Sequence, residues 1–182
     1  MYVFSREALL SALRALGRKG GGFDLVRDVL MHLIPGGRVC GYRFDEYWED
    51  VGTVPSYYRA HMDLLRTECQ LTVFDPLWPI HTHGPQLQPP KFLPSARVRA
   101  SFASQGCVVE GDVEDSVLCP GVRVERGARV RRSILMAGSR IRKGAVVETA
   151  IVDEGVRVEA GAHPAPGEPP HGIRVLCDGE EA

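Results

Sequence analysis

The sequence lacks any long apolar run, and none approaches the roughly 20 residues that a membrane-spanning helix requires. It also lacks an excess of charge of one sign, because 22 Lys and Arg residues stand against 23 Asp and Glu residues, giving a formal net charge of -1. This balance does not favour nucleic acid or an anionic membrane as a partner. Residues 1–16 are amphipathic and do not resemble a secretory signal. We therefore expect a cytoplasmic protein.

Paired metal or disulfide motifs are also absent. The chain has five cysteines, an odd number, and no two of them form a C-x-x-C pair. This usage is typical of free thiols in a reducing compartment and does not favour a disulfide framework or a zinc site. His81 and His83 form an H-x-H pair, but no third ligand lies near them in the sequence. The pair alone does not predict a metal site.

The dominant feature that is present is a repeat of 17 residues. In register, the four coils read RASFASQGCVVEGDVED (99–115), SVLCPGVRVERGARVRR (116–132), SILMAGSRIRKGAVVET (133–149) and AIVDEGVRVEAGAHPAP (150–166). Three apolar columns run through them: Leu118, Leu135 and Val152; Cys107, Val124, Ile141 and Val158; Val113, Val130 and Val147. This is hexapeptide spacing with one facet shortened by a residue. It predicts a left-handed parallel β-helix over residues 99–166.

The segments on either side of the repeat have different patterns. Residues 1–73 alternate strand and helix, which indicates part of an α/β layer with too few strands to close a sheet. The predicted elements are strands over 1–4 and 37–44, a helix between Ser5 and Gly17, and helices over 23–33 and 57–66. Residues 74–98 are proline-rich and predict an extended surface linker outside any sheet. Residues 167–182 form a tail, in which the apolar run 173–177 is either an edge strand or disordered.

Four runs before the coils carry a family resemblance: YVF (2–4), FDLVRDVLMHLIP (23–35), YWEDVGTVPSYYRAHMDLL (47–65) and FDPLWPIHTHGPQLQPPKF (74–92). Together with the coils, and in the same order, they resemble the C-terminal part of bacterial glucose-1-phosphate adenylyltransferase, or ADP-glucose pyrophosphorylase. The resemblance covers nearly the whole chain. It implies a nucleotidyltransferase of bacterial glycogen synthesis that makes ADP-glucose and pyrophosphate from ATP and glucose 1-phosphate with Mg²⁺. The family is usually homotetrameric and allosterically controlled, so the resemblance also implies a homo-oligomer.

Carried over residue by residue, the resemblance implies four site positions. Asp50 falls where the family places a carboxylate on the catalytic Mg²⁺, and a hard cation of this kind prefers such ligands. Trp48 falls where an aromatic ring lines the glucosyl pocket. Tyr2 and Asp24 fall at positions that approach the glucose phosphate in the family.

Two of these residues also suit simpler roles, and two neighbouring positions differ from the residues that the family usually has. Trp48 would equally serve as core packing, and Asp50 as the cap of a turn before Gly52. Leu25 replaces a phenylalanine that the family usually has, and Glu49 replaces a common arginine.

The Gly-rich loop for the triphosphate, a first metal carboxylate and a sugar-phosphate lysine of the family have no counterpart in the sequence. The glycine cluster 20–22 lacks a preceding strand and a G-K-[ST] motif. One carboxylate cannot hold Mg²⁺ against water. We therefore expect a C-terminal fragment that binds Mg²⁺ and acts only when a nucleotide-binding half is supplied.

Two other functional classes remain open. One is a non-catalytic regulatory or assembly subunit built on the β-helix. The other is a hexapeptide acyltransferase, which normally needs a histidine base projecting from its coils. Residues 99–162 contain no histidine, so this second class is the less favoured.

Charges on the outside of the coils also form columns. Two columns alternate in sign: Glu125, Arg142 and Glu159; Glu114, Arg131 and Glu148. A third places Arg123, Arg140 and Arg157 above one another, and like charges at strand spacing destabilise a sheet. Either Glu125 and Glu159 relieve this repulsion diagonally, or the arginines bind an anion, which would be an effector or an acidic surface of a neighbouring subunit.

Overall fold

The computed structural model describes residues 1–17, 24–37, 39–69, 71, 73, 75–81, 83–84, 86–164 and 172–177. The glycine cluster 20–22 and much of the predicted tail lie outside these residues. The chain divides into two compact units, Met1–Asp45 and Glu46–Ala182. No helix in the described part of the chain is long and apolar enough to cross a membrane.

The first unit is helical where the structure describes it. Helix α1, Arg6–Leu16, begins where the Ser5 hydroxyl accepts a hydrogen bond from the Ala8 amide, and it ends at Gly17 with φ 66°. These are the two capping residues that the sequence predicts. The second predicted helix is a π-helical segment, Leu25–Leu30, continued by the short helix α2, Met31–Leu33.

The two strands predicted in this unit are wrong. At residues 1–4, 37 and 39–44 the structure has no strand, and Met1 and Val3 are exposed. A strand is stable only when a neighbour accepts and donates its backbone hydrogen bonds. The described residues before Lys91 provide no such neighbour, so these β-prone runs stay irregular.

The second unit contains a parallel β-solenoid, which confirms the predicted coils. Its strands are β1 Lys91–Phe92, β2 Arg97–Arg99, β3 Phe102–Ala103, β4 Val108–Val109, β5 Asp112–Glu114, β6 Val117–Leu118, β7 Arg123–Val124, β8 Arg129–Arg131, β9 Ile134–Leu135, β10 Arg140–Ile141, β11 Val146–Glu148, β12 Ala150–Val152, β13 Arg157–Val158 and β14 Arg174–Leu176. They form sheet A (β1-β4-β7-β10-β13), sheet B (β2-β5-β8-β11) and sheet C (β3-β6-β9-β12-β14). Neighbouring strands in all three sheets are parallel.

The inward columns form the core, with one correction at the first coil. Val109, and not Cys107, lies opposite Val124 and continues the column through Ile141 and Val158. Cys107 is buried at the neighbouring corner. The register differs because Glu110-Gly111 stands where the next coil has Glu125-Arg126-Gly127-Ala128, so this one corner is two residues shorter.

Gly111 makes the short corner possible. A Cβ built on this residue would lie 2.4 Å from the Ala128 carbonyl oxygen and 2.8 Å from that of Glu125. These distances are far below van der Waals contact, so the backbone of the next coil occupies the space that any other side chain would need.

The solenoid begins inside the segment that the prolines predict to be a linker. Strands β1 and β2 pair with β4 and β5, so residues 91–92 and 97–99 belong to sheets and not to a surface linker. Proline has no amide to donate, but Pro90 and Pro94 flank the two-residue strand β1 and leave its ladder intact. At the other end, residues 174–176 form an edge strand on β12.

A serine ladder lies along the corner between sheets B and C. Ala100, Asp115, Arg132 and Thr149 occupy this corner in successive coils, all with positive φ between 43° and 49°. A serine follows each of the first three corner residues. Its hydroxyl accepts a hydrogen bond from a backbone amide of the next coil: Ser101 from Ser116, Ser116 from Ser133, and Ser133 from Ala150. Ser116 and Ser133 are fully buried, and their hydroxyls also donate to carbonyls within their own coil.

Helix α3, Val54–Asp63, packs on the outer face of sheet C. It begins with a capping box between Thr53 and Ser56. Ile134 and Ile151, which point outward from sheet C, form an apolar cluster with Ile173, the residue before β14. Tyr57, Tyr58 and Met62 of the helix and Met136, which follows β9, pack against this cluster. The Tyr58 hydroxyl donates to the Arg132 carbonyl, which belongs to the αL corner residue of the serine ladder.

Candidate functional site

The segment that carries Trp48 and Asp50 is held against helix α3. Its residues alternate in exposure, since Tyr47 and Glu49 are half-buried while Trp48 and Asp50 are exposed. The Tyr47 hydroxyl donates to Asp63 Oδ2 at 3.5 Å, and the Arg59 Nε donates to Glu49 Oε1 at 3.2 Å. Because neighbouring residues of an extended chain point to opposite sides, these anchors turn Trp48 and Asp50 away from the helix.

The two exposed residues have different surroundings. Trp48 is 68% exposed, so it is not a core residue of the second unit. Asp50 Oδ1 accepts a hydrogen bond from the Gly52 amide at 3.2 Å, so Asp50 also caps the turn before Gly52. A Cβ on Gly52 would lie 3.3 Å from the same oxygen, so glycine suits this turn.

Asp50 is the exposed carboxylate of residues 47–50. In the part of the chain that the structure describes, no group of three or more His, Cys, Asp or Glu residues could hold a metal ion. These residues therefore do not fit a complete Mg²⁺ site by themselves, since such an ion is held by several oxygen ligands.

Tyr2 and Asp24 lie in the first unit. Tyr2 is 48% exposed. The Asp24 carboxylate accepts hydrogen bonds from the Val26 and Arg27 amides at 2.9 and 2.6 Å, while the Asp24 amide donates to Asp28 Oδ2 at 2.9 Å. Asp24 therefore caps the π-helical segment, and its carboxylate Oδ1 is engaged by the backbone. Leu25, the first residue of that segment, is exposed.

Three tyrosines in or beside helix α3, Tyr47, Tyr57 and Tyr58, have a raised pKa, and two of them serve as anchors. Burial against the solenoid raises the pKa of Tyr58, and the nearby Arg132 charge partly offsets this rise. Desolvation also raises the pKa of Tyr47, reinforced by the Asp63 and Glu49 carboxylates. Both phenols therefore remain protonated donors over the physiological range, which suits their roles as anchors.

The three stacked arginines are confirmed as neighbours in sheet A. Arg140 lies directly opposite both Arg123 and Arg157. Glu125 does not relieve them diagonally, because its carboxylate pairs with Arg142 at 3.4 Å and accepts from the Lys143 amide at 3.0 Å. Within the described residues no carboxylate pairs with any of the three arginines.

A shallow groove of about 270 Å³ lies beside these arginines. It is lined by Val108, Glu110, Arg123, Val124, Glu125, Arg126 and Lys143. Glu110 and Arg126 mark the place where the first coil is two residues shorter than the next. The short corner thus leaves a recess that Arg123, Arg126 and Lys143 border with positive charge.

Sequence reasoning missed the residues that position the site. Arg59 and Asp63 lie on one face of helix α3, four residues apart, and face Glu49 and Tyr47. A search of the sequence for opposite charges on either side of the Thr53 cap could have found the Glu49–Arg59 pair. No sequence signal distinguished Tyr58, whose hydroxyl contacts a residue 74 positions away.

Comparisons with known proteins match the two ends of the chain to different family models. One described as "Nucleotidyl transferase" matches residues 1–67, and one described as "GlmU-like, C-terminal hexapeptide" matches residues 89–164. A glucose-1-phosphate adenylyltransferase of Bacillus cereus (strain Q1) is 41% identical over 132 residues, which are 71% of this chain and 35% of that protein. Proteins of the same name from Bacillus mycoides (strain KBAB4) and Bacillus anthracis are 40% identical over the same shares.

These matches confirm the resemblance inferred from the four runs and the coils. The chain is homologous, over part of its length, to glucose-1-phosphate adenylyltransferases. It spans about a third of the length of these relatives. The hexapeptide match begins at residue 89, which agrees with the first solenoid strand at Lys91.

Proposed function

We propose that these 182 residues form the C-terminal part of a glucose-1-phosphate adenylyltransferase, a cytoplasmic enzyme that converts ATP and glucose 1-phosphate to ADP-glucose and pyrophosphate. The observation that carries the proposal is the paired exposure of Trp48 and Asp50 on a segment anchored to helix α3, in a chain about 40% identical to such enzymes. A nucleotide-binding half would supply the triphosphate site, because the sequence contains no loop that could cradle it.

Each exposed residue has a role that its chemistry supports. The Trp48 ring offers an apolar face on which a sugar ring can pack. Asp50 would contribute one carboxylate to Mg²⁺, whose other ligands would come from outside the described residues. That ion would neutralise charge on the reacting phosphates. Tyr2 would approach the glucose phosphate, and Asp24 would act through the helix start that it caps.

The anchors explain how one carboxylate can be placed accurately. The pair Glu49–Arg59 and the bond Tyr47–Asp63 fix the segment at two alternate residues, and the capping box fixes its end. Helix α3 is in turn packed on sheet C. The solenoid therefore supports the Trp48 and Asp50 segment through helix α3, because a functional side chain is held within about 0.5 Å of its working position only by rigid neighbours.

A reconstitution experiment tests the proposal. The purified chain is mixed with the part of the Bacillus cereus relative that it does not match, and pyrophosphate release is measured with ATP, glucose 1-phosphate and Mg²⁺. We expect no turnover from the chain alone and measurable turnover from the mixture. Trp48→Ala should raise KM for glucose 1-phosphate, and Asp50→Asn should raise the Mg²⁺ concentration needed for half-maximal rate. Asp45→Asn, which changes an exposed carboxylate paired with Arg43, is the matched control.

Either of two results would overturn this function. The first is turnover by the chain alone at an ordinary enzymatic rate of about 1 to 10³ per second. The second is a mixture that associates, as shown by co-elution, and yet releases no pyrophosphate.

A second candidate function is a regulatory or assembly subunit, and the stacked arginines favour it. Arg123, Arg140 and Arg157 have no carboxylate partner within the described coils, and the recess beside them is bordered by Arg126 and Lys143 as well as by Glu110 and Glu125. An anion such as a sugar phosphate or an acidic surface would relieve their repulsion. In this case fructose bisphosphate should raise the Tm of the wild-type chain, and Arg140→Ala should abolish that shift. Arg129→Ala, in sheet B, should retain it.

A further inference from the structure

The outer face of sheet B carries charge in rows of alternating sign. We call it the striped face, and each of its four strands contributes two outward side chains. The rows are Arg97 and Arg99, Asp112 and Glu114, Arg129 and Arg131, and Val146 and Glu148. The residues between them form an apolar column, in which Val113, Val130 and Val147 are buried and Val98, in the first strand, is exposed. A shallow groove of about 320 Å³ runs over the face.

The two columns of the striped face differ in how they are neutralised. In one column Glu114 pairs with Arg99 and, at 3.5 Å, with Arg131. In the other, Asp112 lies in register between Arg97 and Arg129, yet the described structure contains no ion pair among the three. This second column therefore presents charges of both signs that remain available to a partner.

We propose that the striped face binds the striped face of a second copy of this chain. The twofold axis runs parallel to the strands and passes between β5 and β8. This rotation reverses the order of the rows, so that the first row faces the partner's fourth and the second faces the partner's third. Four alternating rows are self-complementary under this reversal, because each positive row meets a row that is negative or neutral.

The pairing can be followed column by column. Asp112 of each copy meets Arg129 of the other, so the unpaired column gains two ion pairs. In the other column Arg99 meets Glu148 and Glu114 meets Arg131, each twice. A twofold axis along the solenoid would place arginine rows on arginine rows, and like charges brought together in this way oppose association. The charge pattern thus selects antiparallel solenoids.

The dimensions of the face predict a weak complex. Four strands at a spacing of about 4.8 Å, each three residues long, cover about 14 Å by 10 Å. That is well below the area of a standard stable interface, so corner residues must add to the contact. Because the contacts are ion pairs near water, association should weaken steeply with ionic strength.

The experiment uses two charge reversals that are each unfavourable alone and compatible together. Sedimentation velocity is measured at high protein concentration and low salt for the wild type, for Asp112→Arg and for Arg129→Asp. We expect the wild type to dimerise and each variant to become monomeric, because each homodimer would contain two like-charge contacts. An equimolar mixture of the variants should dimerise again. In that heterodimer the arginine introduced in one variant faces the aspartate introduced in the other, and the two unchanged residues of the pair also face each other.

The rescue by mixing also shows that both variants are folded. Glu154→Arg reverses an exposed charge outside the striped face and should leave the dimer intact, while adding NaCl to about 0.5 M should dissociate it, because the Debye length is then only a few Å. A wild-type chain that remains monomeric at low salt would overturn the proposal. So would variants that dimerise as the wild type does, or a mixture that stays monomeric while both variants melt cooperatively.

Discussion

Gly111→Ala tests whether the first coil closes through a corner that tolerates no side chain. The added Cβ would lie 2.4 and 2.8 Å from two carbonyl oxygens and 3.1 Å from Val124 Cγ1. Two of these neighbours are backbone atoms of the next coil, so they cannot rotate away. Displacing a packed coil to accommodate one methyl group costs about 1–3 kcal/mol and occasionally more. Because two backbone oxygens conflict with the Cβ at once, we expect the upper end of this range, about 3 kcal/mol, or a Tm lower by roughly 6–12 °C for a chain of this length.

Gly127→Ala is the matched control, because it separates steric conflict from backbone conformation. Gly127 has φ 73°, and a Cβ there would approach nothing closer than 4.0 Å. It should therefore show only the cost of a left-handed alanine, about 1–2 kcal/mol. Thermal unfolding followed by circular dichroism compares the two. A Gly111→Ala variant that is no less stable than Gly127→Ala would refute the close approach.

A second variant tests the register itself. Inserting Arg-Gly between Glu110 and Gly111 gives the first coil a corner of the same length as the next one. If the missing residues cause the close approach, Gly111→Ala should cost much less in this lengthened chain. An equally large loss in both backgrounds would show that the crowding has another origin.

The solenoid could be predicted because every coil repeats the same local signal. Columns such as Val113, Val130 and Val147 need no knowledge of distant contacts, since neighbouring coils are also neighbours in the sequence. The shortened corner was not recognised for a physical reason. Cys107 and Val109 are both apolar and both buried, so the hydrophobic pattern alone could not decide which of them continues the column.

The strands predicted at 1–4 and 37–44 failed for the opposite reason. Their composition suits a strand, but a strand exists only through hydrogen bonds to a neighbour that sequence propensity does not supply. The reverse error occurred at residues 91–99, where prolines suggested a linker. There the neighbouring coil provides the partner strands, and the prolines lie outside the paired residues.

The candidate site was located by resemblance and explained by structure. The Y-W-E-D-V-G-T run predicts Trp48 and Asp50 as site residues, but it does not indicate that they are exposed together. Their direction depends on Glu49 and Tyr47, which are held by Arg59 and Asp63 of helix α3. The Glu49–Arg59 pair also explains why position 49 has a glutamate and not the arginine that is common in the family, because an arginine there would face Arg59.

Three further substitutions test the corner and the docked helix. Asp115→Gly should raise stability by about 1 kcal/mol in thermal unfolding, because Asp115 has φ 46° and glycine adopts this conformation without strain. Ser133→Ala should lower stability by about 1–3 kcal/mol, because the Ala150 amide loses its acceptor at a buried site; a neutral result would show that the ladder is not stabilising. Tyr58→Phe removes the hydroxyl that donates to the Arg132 carbonyl, and should lower stability by about 1 kcal/mol near neutral pH. Burial raises the pKa of Tyr58 in the folded chain, so its stabilising effect is complete below the unfolded pKa near 10 and decreases as the pH rises further. The difference in unfolding free energy between wild type and Tyr58→Phe, measured by urea titration, should therefore shrink as the pH rises from about 9 to about 11. A difference that stays constant over this range would mean that the phenol is not desolvated against the solenoid, and that helix α3 is not docked on sheet C in the way described.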